Sequence, residues 1–380
     1  MKMTPKQLMD QATEMTGLSD FGEPSFLEGL NRLVDAINRE SIPTEMGEFA
    51  FPASIVGHLA NRLQVEDWYN RHPEIDDEVI NDPVFITGLP RTGSTALGHM
   101  LALDSNTRCL RGWEAYEPCP PPDVNVTDDP RIARNEQRTA DMDALAPGIS
   151  EALPRNPNAP EECFPLLDLS FTDIALNAFF QVPSYEKWAM QEDLPEMDAA
   201  YQYHRRVLKL LQWKTPASRW VLRTPVHAAS MNALLKAYPN ARFIITHRWP
   251  HKVLPSISSL MYQVKNIFLK NPQPELLGPA MTSQWEKILK RLLQFRESHD
   301  SNLFFDIYHS EQVRDPEPGL RDLYNWLGWE FTDDFVNRLN EWRVDNPKGS
   351  HQPDPAFFNL DLDDVKKTFA FYTDKYGSRM

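Results

Sequence analysis

The sequence predicts an α/β fold, a parallel sheet of the phosphate-loop type flanked by helices, with an N-terminal helical extension and a helical insertion. An apolar strand, Val84–Thr87, runs into a Gly-rich turn and a helix from about Ser94 to Leu103. Strand and helix patterns alternate again after residue 216, and apolar residues at three- and four-residue spacing fill residues 4–80. Strands that alternate with helices are typical of a parallel sheet, because parallel neighbours need a crossover connection.

The remaining elements follow from the same periodicities. Helices are predicted before the first strand over Pro5–Thr16, Ser25–Asn38 and Met46–Tyr69. The proline run 118–122 must be an irregular loop, and residues 129–215 form a helical insertion rich in aromatic residues. Further strands are predicted at Arg219–Arg223, Arg242–Thr246 and Leu303–Tyr308. Each precedes a helix, at Ala228–Ala237, Pro250–Leu269 and Gly319–Leu327.

Ligands bind at the carboxyl ends of strands in sheets of this kind. Four candidate residues lie at or near these ends: Gly88, Arg223, Arg248 and Tyr308. This edge of the sheet is therefore predicted to hold the functional site.

Length and composition are those of a globular protein. The 380 residues are 41% hydrophobic and 24% charged, which suits one large domain. The formal net charge of −15, from 39 basic and 54 acidic residues, argues against nucleic acid or anionic membranes as bulk partners. Any anion must be bound by a local basic site.

Neither a metal nor secretion is predicted. The three cysteines form no C-x-x-C pair, which suits a reducing cytoplasm. The polar start and the lack of a long uncharged run predict no secretion signal and no membrane span. His247 and His251 are four positions apart, but Trp249–Pro250 breaks the helix between them, so we expect no zinc site.

The turn after the first strand, Gly88-Leu-Pro-Arg-Thr-Gly-Ser-Thr95, keeps the glycine spacing of a Walker loop but has Ser94 in place of the lysine. Inward-pointing N–H groups and the following helix N-terminus favour an anion. Ser94 and Thr95 supply hydroxyl donors, and Arg91 supplies a planar fork that suits two anionic oxygens. We expect a phosphate-like group here without ordinary ATP chemistry. The alternative is a strand–turn–helix corner whose glycines only serve packing.

A second motif follows a later strand. Arg248 leaves the strand and Ser256 follows in the next helix, so both can bind one anionic group. Alone, Arg248 can equally cap a surface loop while Ser256 starts a helix. Together with the Gly-rich loop, the Arg248–Ser256 motif favours an anion site.

With both motifs in place, the chain resembles, essentially from end to end, the sulfotransferases that use 3'-phosphoadenosine 5'-phosphosulfate (PAPS). Arg91-Thr92-Gly93-Ser94-Thr95 resembles the 5'-phosphosulfate loop of that family. Arg248 and Ser256 match the arginine and serine that hold the 3'-phosphate. The resemblance implies PAPS as co-substrate and no metal.

The chain is most similar to a bacterial branch of the family. The motifs that carry this likeness are Gly88–Thr95, Trp113-Glu114, Pro120–Pro122, Pro160-Glu-Glu-Cys163 and Arg223-Thr-Pro-Val-His227. The resemblance also implies that Lys348 and Gly349 close over the 3'-phosphate and that Tyr308 lies near the nucleotide, although Tyr308 can equally be structural. Cytosolic members stack adenine on a tryptophan where this chain has Ala96.

The implied reaction moves a sulfuryl group to a hydroxyl, or an amine, of a small apolar acceptor. Because a sulfuryl group carries less charge than a phosphoryl group, cationic side chains can replace magnesium. Arg91 is the first candidate, and Arg223 the second, since relatives carry a lysine there. The alternative for Arg223 is a salt bridge at the sheet edge.

Two residues compete as the general base. Glu114 resembles a glutamate that acts after this helix in tyrosylprotein sulfotransferases and some bacterial relatives. His227 has a neutral form suited to proton abstraction near pH 7, but direct alignment places Pro225 at the position of the family's histidine. Either residue can instead be structural. Glu161 and Glu162 line the acceptor side or cap the helix that follows.

We therefore expect one domain over residues 1–380. Its parts are a helical lead-in (1–80), the phosphosulfate loop unit (81–128), a helical acceptor-side insertion (129–215), strand–helix units with the 3'-phosphate site (216–345) and a closing loop and helix (346–380). The rival functions are a nucleotide-dependent kinase or phosphotransferase and a non-catalytic nucleotide-binding protein. The expected partner is a small-molecule acceptor, and the expected location of the protein is the cytoplasm. The sequence does not assign an oligomeric state, and a homodimer is one alternative.

Overall fold

The computed structural model describes residues 2–126, 128–145, 156–215, 219–346 and 353–380. The strands are β1 (Val84–Gly88), β2 (Thr107–Cys109), β3 (Arg219–Arg223), β4 (Arg242–His247) and β5 (Phe304–Tyr308). All neighbours pair in parallel, in the order β2-β3-β1-β4-β5. The predicted parallel sheet is confirmed.

Strand β2 was not predicted, because it is short and lacks an apolar run. Its three residues pair only with β3, at the edge of the sheet. The central strand β1 is buried along its whole length, as expected for a parallel strand covered on both faces. Gly88 lies opposite Thr246, so β1 and β4 end at the same level.

Three helices precede the sheet: α1 (Pro5–Thr16), α2 (Phe26–Glu40) and α3 (Glu45–Arg71). They lie within two residues of their predicted bounds. Thr4 and Thr44 cap α1 and α3, because each side chain accepts a hydrogen bond from a backbone N–H of the first turn. Helix α1 packs against α3, and most of the buried apolar residues of all three belong to the larger core cluster.

The insertion and its surroundings are helical, as predicted. Helix α4 (Ser94–Leu101) follows β1, and the next helices are α5 (Gly112–Tyr116) and α6 (Pro130–Leu145). Among the described residues, four more precede β3: α7 (Phe164–Leu167), α8 (Leu176–Phe180), α9 (Pro183–Ala189) and α10 (Pro195–Gln212). Most of the insertion's aromatic residues lie in the core.

After β3, a 3-10 turn (Pro225–Ala229) occupies the place where a helix was predicted to start, and α11 begins at Met231 (Met231–Ala237). Ser230, between the two elements, has a φ of −141° and a ψ of 42°, which lie outside the helical region, so the turn and the helix do not join. The remaining helices are α12 (Pro250–Phe268), α13 (Pro274–Ser298), α14 (His309–Arg314), α15 (Pro316–Leu327), α16 (Asp333–Asp345), α17 (Leu362–Thr368) and α18 (Ala370–Tyr376).

Two core clusters lie on the two faces of the sheet. The larger contains Phe85, Leu222 and Phe243, and the smaller contains Val84, Val221 and Ile244. Alternate residues of the same strands therefore supply the two cores. Among the described residues, no helix is both long and apolar enough to cross a bilayer.

Candidate active site

The loop between β1 and α4 is held in a conformation that its glycines permit. Gly88 has a φ of 132°, and a Cβ there would lie 2.6 Å from the carbonyl oxygen of Thr246, so only glycine fits. Gly93 also has a positive φ, of 88°. Arg91 has a φ of 60°, which is uncommon for a residue with a side chain and typical of functional loops.

The hydroxyl of Thr92 holds the loop together. Its Oγ1 donates to the carbonyl oxygen of Leu89 at 2.7 Å and lies 2.6 Å from Oγ1 of Thr246 on β4. Thr92 is fully buried. The side chain therefore ties the loop to the neighbouring strand, and the predicted contribution of Thr92 to donor binding would come from its backbone.

Helix α4 begins at Ser94, directly after Gly93. The N–H groups of its first turn, which no N-cap side chain satisfies, and the positive end of its dipole thus lie at the carboxyl edge of β1, beside the hydroxyls of Ser94 and Thr95. This is the arrangement that an anionic oxygen group requires.

The two predicted anion motifs meet in space. Nε of Arg91 donates to Oγ of Ser256 at 3.1 Å. Nη1 of Arg248 donates to the carbonyl oxygen of Arg91 at 2.7 Å, although the two residues are 157 positions apart. Burial, and then the like charge of Arg91, lower the pKa of Arg248. Two cations and a hydroxyl therefore converge where an anion can bind.

Arg223 lies across α4 and contacts both the loop and a carboxylate. Its Nη1 donates to Oγ1 of Thr95 at 3.2 Å and to Oε1 of Glu162 at 3.1 Å. A Cβ on Gly98 would lie 2.9 Å from Cδ of Arg223, so this glycine lets the side chain cross the helix. The salt-bridge role weighed for Arg223 is present, and it coexists with the contact to the loop.

Glu162 lies beside Arg223, although the sequence predicted it only as an acceptor-side residue or a helix cap and not as a base. Its Oε2 accepts from Oγ1 of Thr224 at 3.0 Å, and its side chain is 22% exposed. Burial raises the pKa of the Glu162 carboxyl, although the charge of Arg223 opposes it. The backbone N–H of Cys163 donates to the carbonyl oxygen of Arg223 at 2.9 Å and fixes this segment to the end of β3. In the sequence, the Pro-Glu-Glu-Cys motif was the one signal that placed Glu162 near the site.

Glu114 is enclosed by the protein. Its side chain is 1% exposed, Oε1 accepts from Nη2 of Arg108 at 2.8 Å, and Oε2 accepts from the backbone N–H of Arg111 at 3.0 Å. Both carboxylate oxygens are thus engaged in holding the start of α5. Among the described residues, Glu114 makes no hydrogen bond with Arg91, Arg223 or the loop.

His227 lies in the 3-10 turn after β3 and is fully buried. Its Nδ1 lies 2.8 Å from the hydroxyl of Tyr201, and Nε2 has no hydrogen-bond partner among the described residues. Burial, with a smaller effect from His204, lowers the pKa of His227 well below its ordinary value. The imidazole is therefore neutral near pH 7.

Tyr308, another of the predicted residues, lies on the edge strand β5. Tyr308 ends β5, where His247 stacks on its ring at 4.9 Å and the Arg379 guanidinium lies 4.3 Å from its centre. Only 5% of Tyr308 is exposed. Lys348 and Gly349 lie outside the described residues.

Within the described ranges, no three His, Cys, Asp or Glu side chains are grouped as a metal site would require. His247 instead pairs with Asp306 at 2.8 Å and with the hydroxyl of Tyr372 at 2.8 Å.

The geometry can be compared with known proteins. The sequence profile described as "Sulfotransferase family" matches residues 83–333, which is more than half of the chain. The chain belongs to the sulfotransferase family. The matched range includes the loop, the Pro-Glu-Glu-Cys segment and the Arg248–Ser256 motif, so the predicted family and activity class are confirmed.

Individual sulfotransferases are similar over most of their length. The protein named omega-hydroxy-beta-dihydromenaquinone-9 sulfotransferase Stf3 of Mycobacterium bovis is 24% identical over 280 residues, which cover 72% of this chain and 69% of that protein. The crystal structure of sulfotransferase STF9 from Mycobacterium avium has a TM-score of 0.89 and 29% identity, covering 98% of this chain and 96% of that chain. For STF1 from Mycobacterium tuberculosis, the TM-score is 0.86 at 28% identity, over 97% and 99%.

Proposed function

We propose that this sulfotransferase takes its sulfuryl group from PAPS and transfers it to a hydroxyl, or an amine, of a small apolar acceptor. The observation that carries the proposal is the pair of hydrogen bonds that join Arg91 to Ser256 and Arg248 to Arg91. A nucleotide with anionic groups at both its 5' and 3' positions needs two neighbouring anion sites. ATP, with its phosphates in a single chain, does not.

In this proposal the first turn of α4, with Ser94 and Thr95, binds the 5'-phosphosulfate, and Arg248 with Ser256 binds the 3'-phosphate. The side chains of Arg91 and Arg223 stabilise the charge that develops on the leaving phosphate. Lys348, Gly349 and Tyr308 keep their predicted roles beside the donor.

For the general base, the geometry supports Glu162 over the two residues first considered. The Glu162 carboxylate and the hydroxyl of the loop residue Thr95 both accept a hydrogen bond from Nη1 of Arg223. The Glu162 side chain is also partly exposed at the carboxyl edge of the sheet. The acceptor oxygen attacks sulfur as its proton passes to Glu162, and the bond from sulfur to the bridging oxygen breaks, leaving the electron pair on the 5'-phosphate. Glu114 and His227 remain the alternatives, and both are enclosed.

The acceptor is proposed from the relatives. The Stf3 relatives are named for a hydroxylated dihydromenaquinone. An apolar alcohol is therefore the acceptor class to test first.

Calorimetric titration tests the donor. We expect 3'-phosphoadenosine 5'-phosphate to bind more tightly than adenosine 5'-phosphate or ATP. The substitution Arg248→Ala should abolish the preference for the 3'-phosphate, because the group loses its charge-assisted hydrogen bonds. The matched control Arg321→Ala removes an arginine that is 52% exposed on α15 and should change nothing. Tighter binding of ATP to the native protein would contradict the proposed donor.

A further inference from the structure

Thr224 directly follows β3, next to Arg223, and its side chain contacts Glu162. It is 1% exposed. Its Oγ1 donates to Oε2 of Glu162 at 3.0 Å, while Nη1 of Arg223 donates to Oε1 of the same carboxylate at 3.1 Å. The Glu162 carboxylate is therefore held at both of its oxygens, by two consecutive residues of the chain.

The backbone of Thr224 is held by the neighbouring strand β1. Its N–H donates to the carbonyl oxygen of Ile86 at 3.2 Å, and its carbonyl oxygen accepts from Oγ1 of Thr87 at 3.0 Å. Threonine is β-branched, so its χ1 angle has little freedom. The position of the Thr224 hydroxyl is therefore set by the sheet.

The two donors to Glu162 differ in what else they contact. Nη1 of Arg223 also donates to Oγ1 of Thr95 on the phosphate loop, and Arg223 is proposed to stabilise the charge on the leaving phosphate. Among the residues that the structure describes, the hydroxyl of Thr224 is bonded to Glu162 alone. Arg223 therefore serves the donor and the carboxylate together, whereas Thr224 serves the carboxylate.

A hydroxyl can reverse the direction of its hydrogen bond, and a guanidinium cannot. Arginine has donors only, so it favours an ionised carboxylate, whereas threonine can donate to a carboxylate or accept from a carboxyl group. Transfer of the acceptor's proton to Glu162 converts the first form of the side chain into the second. Rotation of the Thr224 O–H bond then keeps the two side chains hydrogen-bonded in both forms.

We propose that Thr224 is a positioning residue, whose hydroxyl holds Glu162 in the orientation in which its carboxylate takes the proton of the acceptor. The inference rests on the proposed role of Glu162 as the general base. Burial raises the pKa of the Glu162 carboxyl, and the hydrogen bond from Thr224 opposes that rise by favouring the ionised form. Thr224 acts through Glu162 and is not itself a catalytic residue.

Titration of Glu162 tests the hydrogen bond without a known acceptor. The carboxyl carbons of glutamate are labelled with ¹³C and followed by NMR against pH, and Glu162→Gln identifies the Glu162 signal by removing it. Thr224→Val keeps the side-chain shape without the hydroxyl and should raise the midpoint by about one pH unit. Thr224→Ser keeps the hydroxyl and should restore the native midpoint. The control Thr282→Val removes a hydroxyl that donates to the carbonyl oxygen of Gly278 within α13 and should leave the midpoint unchanged.

Turnover tests whether the hydrogen bond matters for sulfuryl transfer. With an alcohol acceptor, Thr224→Val should lower kcat about tenfold on the high-pH plateau, because the base is less well oriented, and Thr224→Ser should recover most of the rate. In the Glu162→Gln background, Thr224→Val should have no further effect. Calorimetry with 3'-phosphoadenosine 5'-phosphate should give native affinity in Thr224→Val, and thermal unfolding shows whether each variant is folded.

A raised Glu162 midpoint together with a lowered kcat in Thr224→Val supports the inference. It is overturned if either quantity is native in folded Thr224→Val, or if Thr224→Val lowers kcat as much in Glu162→Gln as in the native protein. Native turnover in Glu162→Gln would overturn the proposed base and, with it, the role of Thr224. Failure of the proposed donor is seen separately, as weak binding of 3'-phosphoadenosine 5'-phosphate to the native protein.

Discussion

The proposed donor end of the site (Arg91–Thr95, Arg248 and Ser256) and its proposed acceptor end (Glu114, Glu162 and His227) differ in how their residues are positioned. At the donor end, motifs 157 positions apart are joined by direct hydrogen bonds. At the acceptor end, Glu114 and His227 are enclosed in the core, while Glu162 reaches the edge of the sheet. Residues that leave parallel strands share one edge whatever their separation in sequence, whereas residues on short helices and turns depend on local packing.

The largest expected effect is at Arg91, where the donor end takes part in the chemistry. Arg91→Ala should lower kcat by about 10²- to 10³-fold, as for loss of one stabilising group at a developing charge. Arg91→Lys keeps the charge but loses the planar fork and should recover only part of the rate. Steady-state kinetics with an alcohol acceptor measures this, and a native kcat in Arg91→Ala would contradict the assigned role.

The second effect separates the carboxylates of the acceptor end. Glu162→Gln should lower kcat by about 10²-fold or more with donor affinity retained, because a positioned base is lost. Glu114→Gln and His227→Asn are the comparison variants, assayed with the same acceptor. If either of these shows the large loss while Glu162→Gln turns over normally, the base must be reassigned.

Glu114 should matter more for stability than for turnover. Glu114→Gln leaves the guanidinium of Arg108 without its buried carboxylate and should lower the free energy of unfolding by about 2 kcal/mol, a value reduced because Arg108 is 14% exposed. Urea denaturation measures the change. Unchanged stability together with lost activity would restore Glu114 as the catalytic candidate.

The smallest effect is a shift in the pH profile. Burial raises the pKa of Glu162, and a base must be ionised to accept a proton. Activity should therefore fall as the pH falls through a midpoint above the ordinary glutamate value of about 4.3. In Glu162→Gln this acid limb should vanish. A midpoint at or below the ordinary value would contradict the assignment, as would an unchanged limb in Glu162→Gln.

The agreement between predicted and observed bounds differs between elements. Long periodic helices such as Pro5–Thr16 and the apolar strand Arg219–Arg223 were predicted with their observed bounds. Strand β2 was missed because three residues carry too little pattern. The helix predicted to begin at Ala228 begins at Met231, because Ser230 has non-helical backbone angles between the helix and the 3-10 turn 225–229.

The sequence by itself determined the parallel fold and located the proposed donor motifs, because period-two and period-3.6 patterns and a glycine-rich turn are local properties of the chain. It also favoured the family, which the comparisons confirmed. Only the tertiary structure decided that Nη1 of Arg223 contacts both Glu162 and the loop residue Thr95, and that Glu114 is enclosed. Those facts depend on burial and on contacts between distant segments, and no local pattern encodes them.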